Sequence, residues 1–172
     1  MYQPAELVLQ VHRNPPRFLS VFTVAPLTVA PGIENVFDEL ALFGIGCNCG
    51  SKSFQIFGFP DAGAGLLCPH QIECGSCGKR EVLFDVRVHG YDAKLQNGCY
   101  SMVGSGEPSL HLCTCGAELF EVVVGVGYQI DPVEDLEGEA LMRIQDFFDC
   151  YRLESRCKAC GVNESVSSYE CA

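Results

Sequence analysis

The chain has 172 residues, a length that suits one domain or two small lobes packed together. Hydrophobic residues make up 48% and charged residues 19%, a globular composition that excludes a disordered chain, and no segment reaches the roughly 20 apolar residues of a membrane span. Eleven Lys and Arg stand against 22 Asp and Glu, for a net charge of −11, which disfavours nucleic-acid binding and suits a basic protein partner.

The opening residues Met1–Glu6 lack a basic stretch leading into an apolar one. No secretory signal is therefore expected, and a cytoplasmic chain with reduced thiols is. Strand-like segments follow at Leu7–Val11 and Phe18–Val24, separated by Pro15-Pro16, with Pro26 and Pro31 breaking what comes next. Ile33, Val36, Phe37, Leu40 and Phe43 recur at helical spacing, which predicts a short helix over 33–43 capped by Gly44. Ser53–Phe57 alternates as a strand, Phe59–Gly65 reads as a loop, and Leu66–Ile72 as a strand. Glu81–His89 also alternates, and 90–109 is turn-rich. Glu118–Ile130 reads as a long strand or hairpin. Asp131-Pro132-Val133-Glu134 has the form of a helix start, and 145–153 is expected to return to a strand.

The cysteines are patterned. Cys47-Asn48-Cys49-Gly50 precedes Cys74-Gly75-Ser76-Cys77-Gly78, and Cys113-Thr114-Cys115-Gly116 precedes Cys157-Lys158-Ala159-Cys160-Gly161. Each half reads CxCG and then CxxCG, an internal repeat. Phe54 and Ile56 stand after the first turn at the offsets that Phe120 and Val122 hold after the third. Two cysteines one or two residues apart on a tight turn can face one ion, and two such turns complete the tetrahedral set that Zn²⁺ takes. The following glycine supplies the left-handed backbone that closes the turn. Sequential pairing gives the quartets Cys47/Cys49/Cys74/Cys77 and Cys113/Cys115/Cys157/Cys160, with one Zn²⁺ each and two per chain. Crossed pairing of the first turn with the last is the alternative. Cys68 and Cys150 are expected in the core; Cys99 and Cys171 read as ordinary free thiols.

At CxCG…CxxCG the chain resembles zinc-ribbon and zinc-knuckle proteins. The resemblance implies ligation by those eight cysteines and covers the quartets with their adjacent strands. The CxC turn, in place of the commoner CxxC, and the acidic charge both depart from the nucleic-acid-binding members.

Neither quartet leaves the open coordination position that a catalytic zinc needs. His12, His70, His89 and His111 form no HExxH pair, and Asp146 and Asp149 are expected to be solvated. The sequence thus predicts an α+β fold, mostly antiparallel β, in which two zinc-ribbon-like units share a core. The segments are an N-terminal extension over 1–46, a first unit over 47–90, a linker over 91–112 and a second unit over 113–172. The function expected is that of a structural zinc protein acting as an acidic interaction module. The alternatives are an enzyme built from dispersed residues such as His70, His89, His111 and Asp92, or a thiol sensor that ejects metal on oxidation. Iron could take the same four thiolates.

Overall fold

The computed structural model describes residues 4–28, 40–63, 65–94, 100–128 and 137–170. Among the described residues, nine strands form one antiparallel sheet that curls into a half-barrel. The strands are β1 (Thr23–Leu27), β2 (Leu40–Gly46), β3 (Phe54–Pro60), β4 (Leu66–Cys74), β5 (Arg80–Phe84), β6 (Ser109–Leu110), β7 (Phe120–Gly127), β8 (Cys150–Cys157) and β9 (Asn163–Glu170). The path runs β1-β2-β7-β3-β4-β5, with β8 and then β9 paired outward from β7 and the short β6 paired with β3. The Ser167 hydroxyl donates to the Leu66 carbonyl at 2.9 Å, tying β9 to β4 across the curl. No helix among the described residues is long and apolar enough to cross a membrane.

Alternation explains the inner face. Along β4, Leu66, Cys68, His70, Ile72 and Cys74 are buried, while the residues between them are partly exposed. Along β7, Phe120, Val122, Val124 and Val126 point into the same core. Cys68 and Cys150 are buried here as expected, and burial pushes the Cys150 thiol up to about 11.

The two halves exchange strands. β2 leads into the first CxC turn yet pairs with β7, which leaves the second. β6 leads into the second CxC turn yet pairs with β3, which leaves the first. The registers correspond. Phe43 faces Val124 and Gly44 faces Val123 on one side; Ser109 faces Gly58 and Leu110 faces Phe57 on the other.

Several local expectations are corrected. Leu7–Val11 is part of a helix, α1 (Pro4–Arg13), not a strand. Leu7 and Val11 lie one turn apart and are buried, whereas Leu9, which a strand would place beside them, is 54% exposed. His12 belongs to this helix, and its ring meets Phe43 edge-on at 5.5 Å. Phe18 and Leu19 form a 3-10 turn (Arg17–Leu19), and the strand begins only at Thr23. Pro26 sits inside β1 without breaking it, because β1 is an edge strand.

The helix expected over 33–43 fails where it can be seen. Leu40–Phe43 lie in β2, while 31–39 fall outside the described residues. β2 is flanked on both edges and mostly buried, so its apolar run carries no strict alternation.

β3 continues through Phe59 and Pro60, shortening the expected loop. β5 stops at Phe84 because the Asp85 carboxylate accepts the Arg87 backbone N–H at 3.0 Å and turns the chain. Within the turn-rich linker lie a one-turn helix, α2 (Tyr91–Lys94), and a 3-10 turn (Tyr100–Met102). The helix start at 131–136 lies outside the described residues, as do Cys99 and Cys171; a one-turn helix, α3 (Gly138–Leu141), follows. The strand expected over 145–153 begins only at Cys150, after a 3-10 turn at Ile144–Asp146.

Candidate metal centres

Each quartet is built by two hydrogen-bonded turns at the ends of strands. In the CxC turns, Cys47 N–H donates to Ser51 O and Gly50 N–H to Cys47 O, both at 2.8 Å. Cys113 N–H donates to Ala117 O at 2.9 Å and Gly116 N–H to Cys113 O at 2.8 Å. In the CxxC turns, Cys74 N–H donates to Lys79 O and Gly78 N–H to Cys74 O. Cys157 N–H donates to Val162 O and Gly161 N–H to Cys157 O, and all four bonds are 2.9 Å. The glycine closing each turn has positive φ: 92° at Gly50, 84° at Gly116, 70° at Gly78 and 76° at Gly161. Any other residue would be strained there.

The turns bring the thiols together as sequential pairs. Cys47 Sγ lies 3.6 Å from Cys77 Sγ, and Cys49 Sγ lies 3.5 Å from Cys74 Sγ. In the second cluster, Cys113 Sγ lies 3.6 Å from Cys160 Sγ and Cys115 Sγ 3.7 Å from Cys157 Sγ. All four sulfurs of each cluster fall within 4.8 Å of one another, and each cluster can hold a metal ion. Four sulfurs at the Zn–S distance of roughly 2.3 Å stand about 3.8 Å apart on a tetrahedron, so the donor sets fit with little contraction or expansion. The eight thiols are free, and the spacings are far beyond the roughly 2.05 Å of a disulfide.

In each cluster the strand-side cysteines are buried and the outer two exposed. Burial opposes charging Cys74, but the Cys77 and Ser76 N–H groups and the neighbouring thiols outweigh it and bring the thiol down to about 6. At Cys157 the Cys160 N–H, with that of Ala159 and against burial, also brings the thiol to about 6. The first cysteine of each CxxC turn is thus drawn toward the thiolate that metal binding requires, whereas the Cys160 thiol is pushed up.

The histidines do not form one site. His70 is fully buried, with Nε2 2.9 Å from the Leu66 carbonyl and its ring stacked on Tyr151 at 5.7 Å. Burial lowers its pKa to about 4, so it stays neutral. His89 accepts the Asp85 backbone N–H at 3.0 Å on Nδ1 and stacks on Phe18 at 5.2 Å. It lines a cleft of about 340 Å³ with Arg17, Phe18, Val88, Gly90, Asp146 and Phe148, and no second histidine borders that cleft. The side chain of Asp92 is outside the described set.

Asp146 and Asp149 are buried rather than solvated, at 5% and 6% exposure. Asp146 accepts the Arg17 backbone N–H at 2.9 Å and its Nε at 2.6 Å, pinning the N-terminal segment to the far end of the chain.

His111 reaches the second cluster indirectly. Its Nε2 lies 3.1 Å from Glu164 Oε2, and Glu164 Oε1 lies 3.7 Å from Cys113 Sγ. Sequence spacing gave no hint of Glu164. The one available signal was its place after the CxxC turn, matching Glu81 in the first half.

No family model, curated protein or solved structure matches the chain.

Proposed function

We propose that each quartet holds one structural Zn²⁺ and that the metallated chain is an acidic protein-interaction module. The observation that carries the metal reading is the geometry of two four-thiol clusters whose sulfurs approach to 3.5–3.7 Å without bonding. Zn²⁺ bound by four thiolates has no open position for water or substrate, so its contribution is clamping. Here it would join the CxC and CxxC turns of each half, and metal-binding energy becomes folding energy. On this reading, residues 47–90 and 113–172 are two zinc-ribbon-like units that share a core, and the strands leading into their CxC turns, β2 and β6, each pair with a strand of the other unit. The thiols would need a reducing compartment such as the cytoplasm to remain ligands.

The interaction reading draws on charge. The chain carries −11, and two tetrathiolate zinc centres of about −2 each deepen the negative field. Such a field favours association with a basic protein surface and repels nucleic acid.

Elemental analysis of the chain purified without added metal tests the first part. Two zinc ions per chain, with unfolding on chelation, is the expected result; iron or substoichiometric metal would refute it. A pull-down across a salt series tests the second. A specific partner lost as salt rises supports the module, and no specific partner at any salt counts against it.

A further inference from the structure

We propose that the two metal centres hold their ions unequally and that the Cys113/Cys115/Cys157/Cys160 centre is the exchangeable one, made so by Glu164. The inference rests on the metal reading above.

The two halves act as internal controls for each other, because the same turns and hydrogen bonds build both clusters. Three matching places flanking the turns bear on their surroundings. Beside the first cluster stand Ile45, Lys79 and Glu81; beside the second stand His111, Val162 and Glu164. Glu81 turns to the Lys79 ammonium at 2.9 Å, and the positive field of Lys79 reaches Cys47 and Cys77. That cation offsets part of the charge of a tetrathiolate centre. In the second half valine stands at that place, and the lysine of that half, Lys158 inside the CxxC turn, is turned to the Glu121 carboxylate at 2.8 Å. Glu164 turns inward instead, held by His111 on one oxygen and set against Cys113 Sγ with the other.

Two consequences follow from a carboxylate in that place. Its negative charge opposes the Cys113 thiolate and weakens the metal's hold. A carboxylate oxygen is also a competent zinc ligand. Glu164, 3.7 Å from the Cys113 sulfur, would therefore stand within reach to hold the ion in place of Cys113 when a soft ligand competes for it. Among the described residues, no carboxylate or imidazole is hydrogen-bonded to a thiol of the first cluster. Glu164 acts on the ion directly in this scheme, as a stand-in ligand, and the acceptor class is a thiol-bearing or chelating ligand that competes for the ion.

The test uses the full-length metal-loaded chain and a chromogenic chelator. Alkylation of released thiols during the reaction, mapped by mass spectrometry, reports which quartet opens. The expected result is two phases, with Cys113, Cys115, Cys157 and Cys160 labelled about tenfold or more faster than the first quartet, the scale on which groups around ligands tune metal sites. Glu164→Gln keeps the shape and removes the charge, and should slow the fast phase by about tenfold. Val162→Lys restores the cation of the first centre and should slow it independently. Both quartets opening together, the first opening sooner, or neither variant slowing release would overturn the proposal. Metal content is measured first on the same sample. Fewer than two bound ions overturns the structural-metal reading as well, whereas two ions leaving at one rate overturns only the inequality.

Discussion

Phe54 and Phe120 face each other where β3 meets β7, each at the first residue of the strand leaving a CxC turn. Each also pairs with a cysteine of a quartet on its other side: Phe54 with Cys74 and Phe120 with Cys157. One aromatic pair thus joins the two clusters through the centre of the sheet. Both rings are fully buried.

Phe54→Ala and Phe120→Ala should each lose about 3–5 kcal/mol, the usual cost of deleting a buried aromatic ring. Because the residues oppose each other, the double variant should depart from the sum of the singles by more than distant sites do. Urea unfolding of the metal-loaded proteins measures both quantities.

Removing one buried thiol should cost one ion, not two. Cys74→Ser is expected to retain the metal of the second quartet, and Cys157→Ser that of the first, because each quartet is assembled from its own two turns. Metal counting by native mass spectrometry checks this. Loss of both ions from either variant would mean that the centres form only as a unit.

Asp146→Ala should destabilise the fold by about 1–3 kcal/mol, the range for losing a charged acceptor and orphaning its donors. Arg17 is half exposed, so solvent screening holds the loss below that of a fully buried pair. The effect should concentrate in the N-terminal segment, with hydrogen exchange in α1 and Arg17–Leu19 rising more than in β7 and β8.

His70 should make stability fall with acid. Its folded pKa of about 4 lies below the ordinary 6.5, so the unfolded chain binds the extra proton between those values. Its stabilising contribution is complete above about 6.5 and is lost as pH falls toward about 4, a cost of about 3 kcal/mol at most. Acid also strips metal, so the comparison is with His70→Gln, which shares that loss. The wild-type curve should be steeper through this window; parallel curves would sink the prediction.

Much of the cluster chemistry was readable along the chain. A CxC or CxxC turn closed by glycine is a local object, and the eight cysteines singled out by spacing are the eight whose thiols converge. The strands beside them were also readable, since β3, β4 and β7 alternate between a buried face and a more open one. Reading failed where burial on both faces erased alternation, as in β2, and where a short apolar run fitted two periods, as in α1. It failed again at Asp146, whose burial depends on Arg17 reaching it from the other end of the chain.

What the sequence determined by itself is the donor set: which side chains can share an ion, because turn geometry reaches only a few residues. What tertiary structure decided is how the halves interlock and what surrounds each centre. β2 finds β7 and β6 finds β3 through pairings between distant segments that no local pattern encodes. Convergence of the second quartet brings Glu164 on β9 to Cys113, whereas in the other half Glu81 turns to its neighbour Lys79. Two nearly identical ligand patterns thereby acquire different electrostatic surroundings, because charge acts through space and the chain's order does not prescribe that distance.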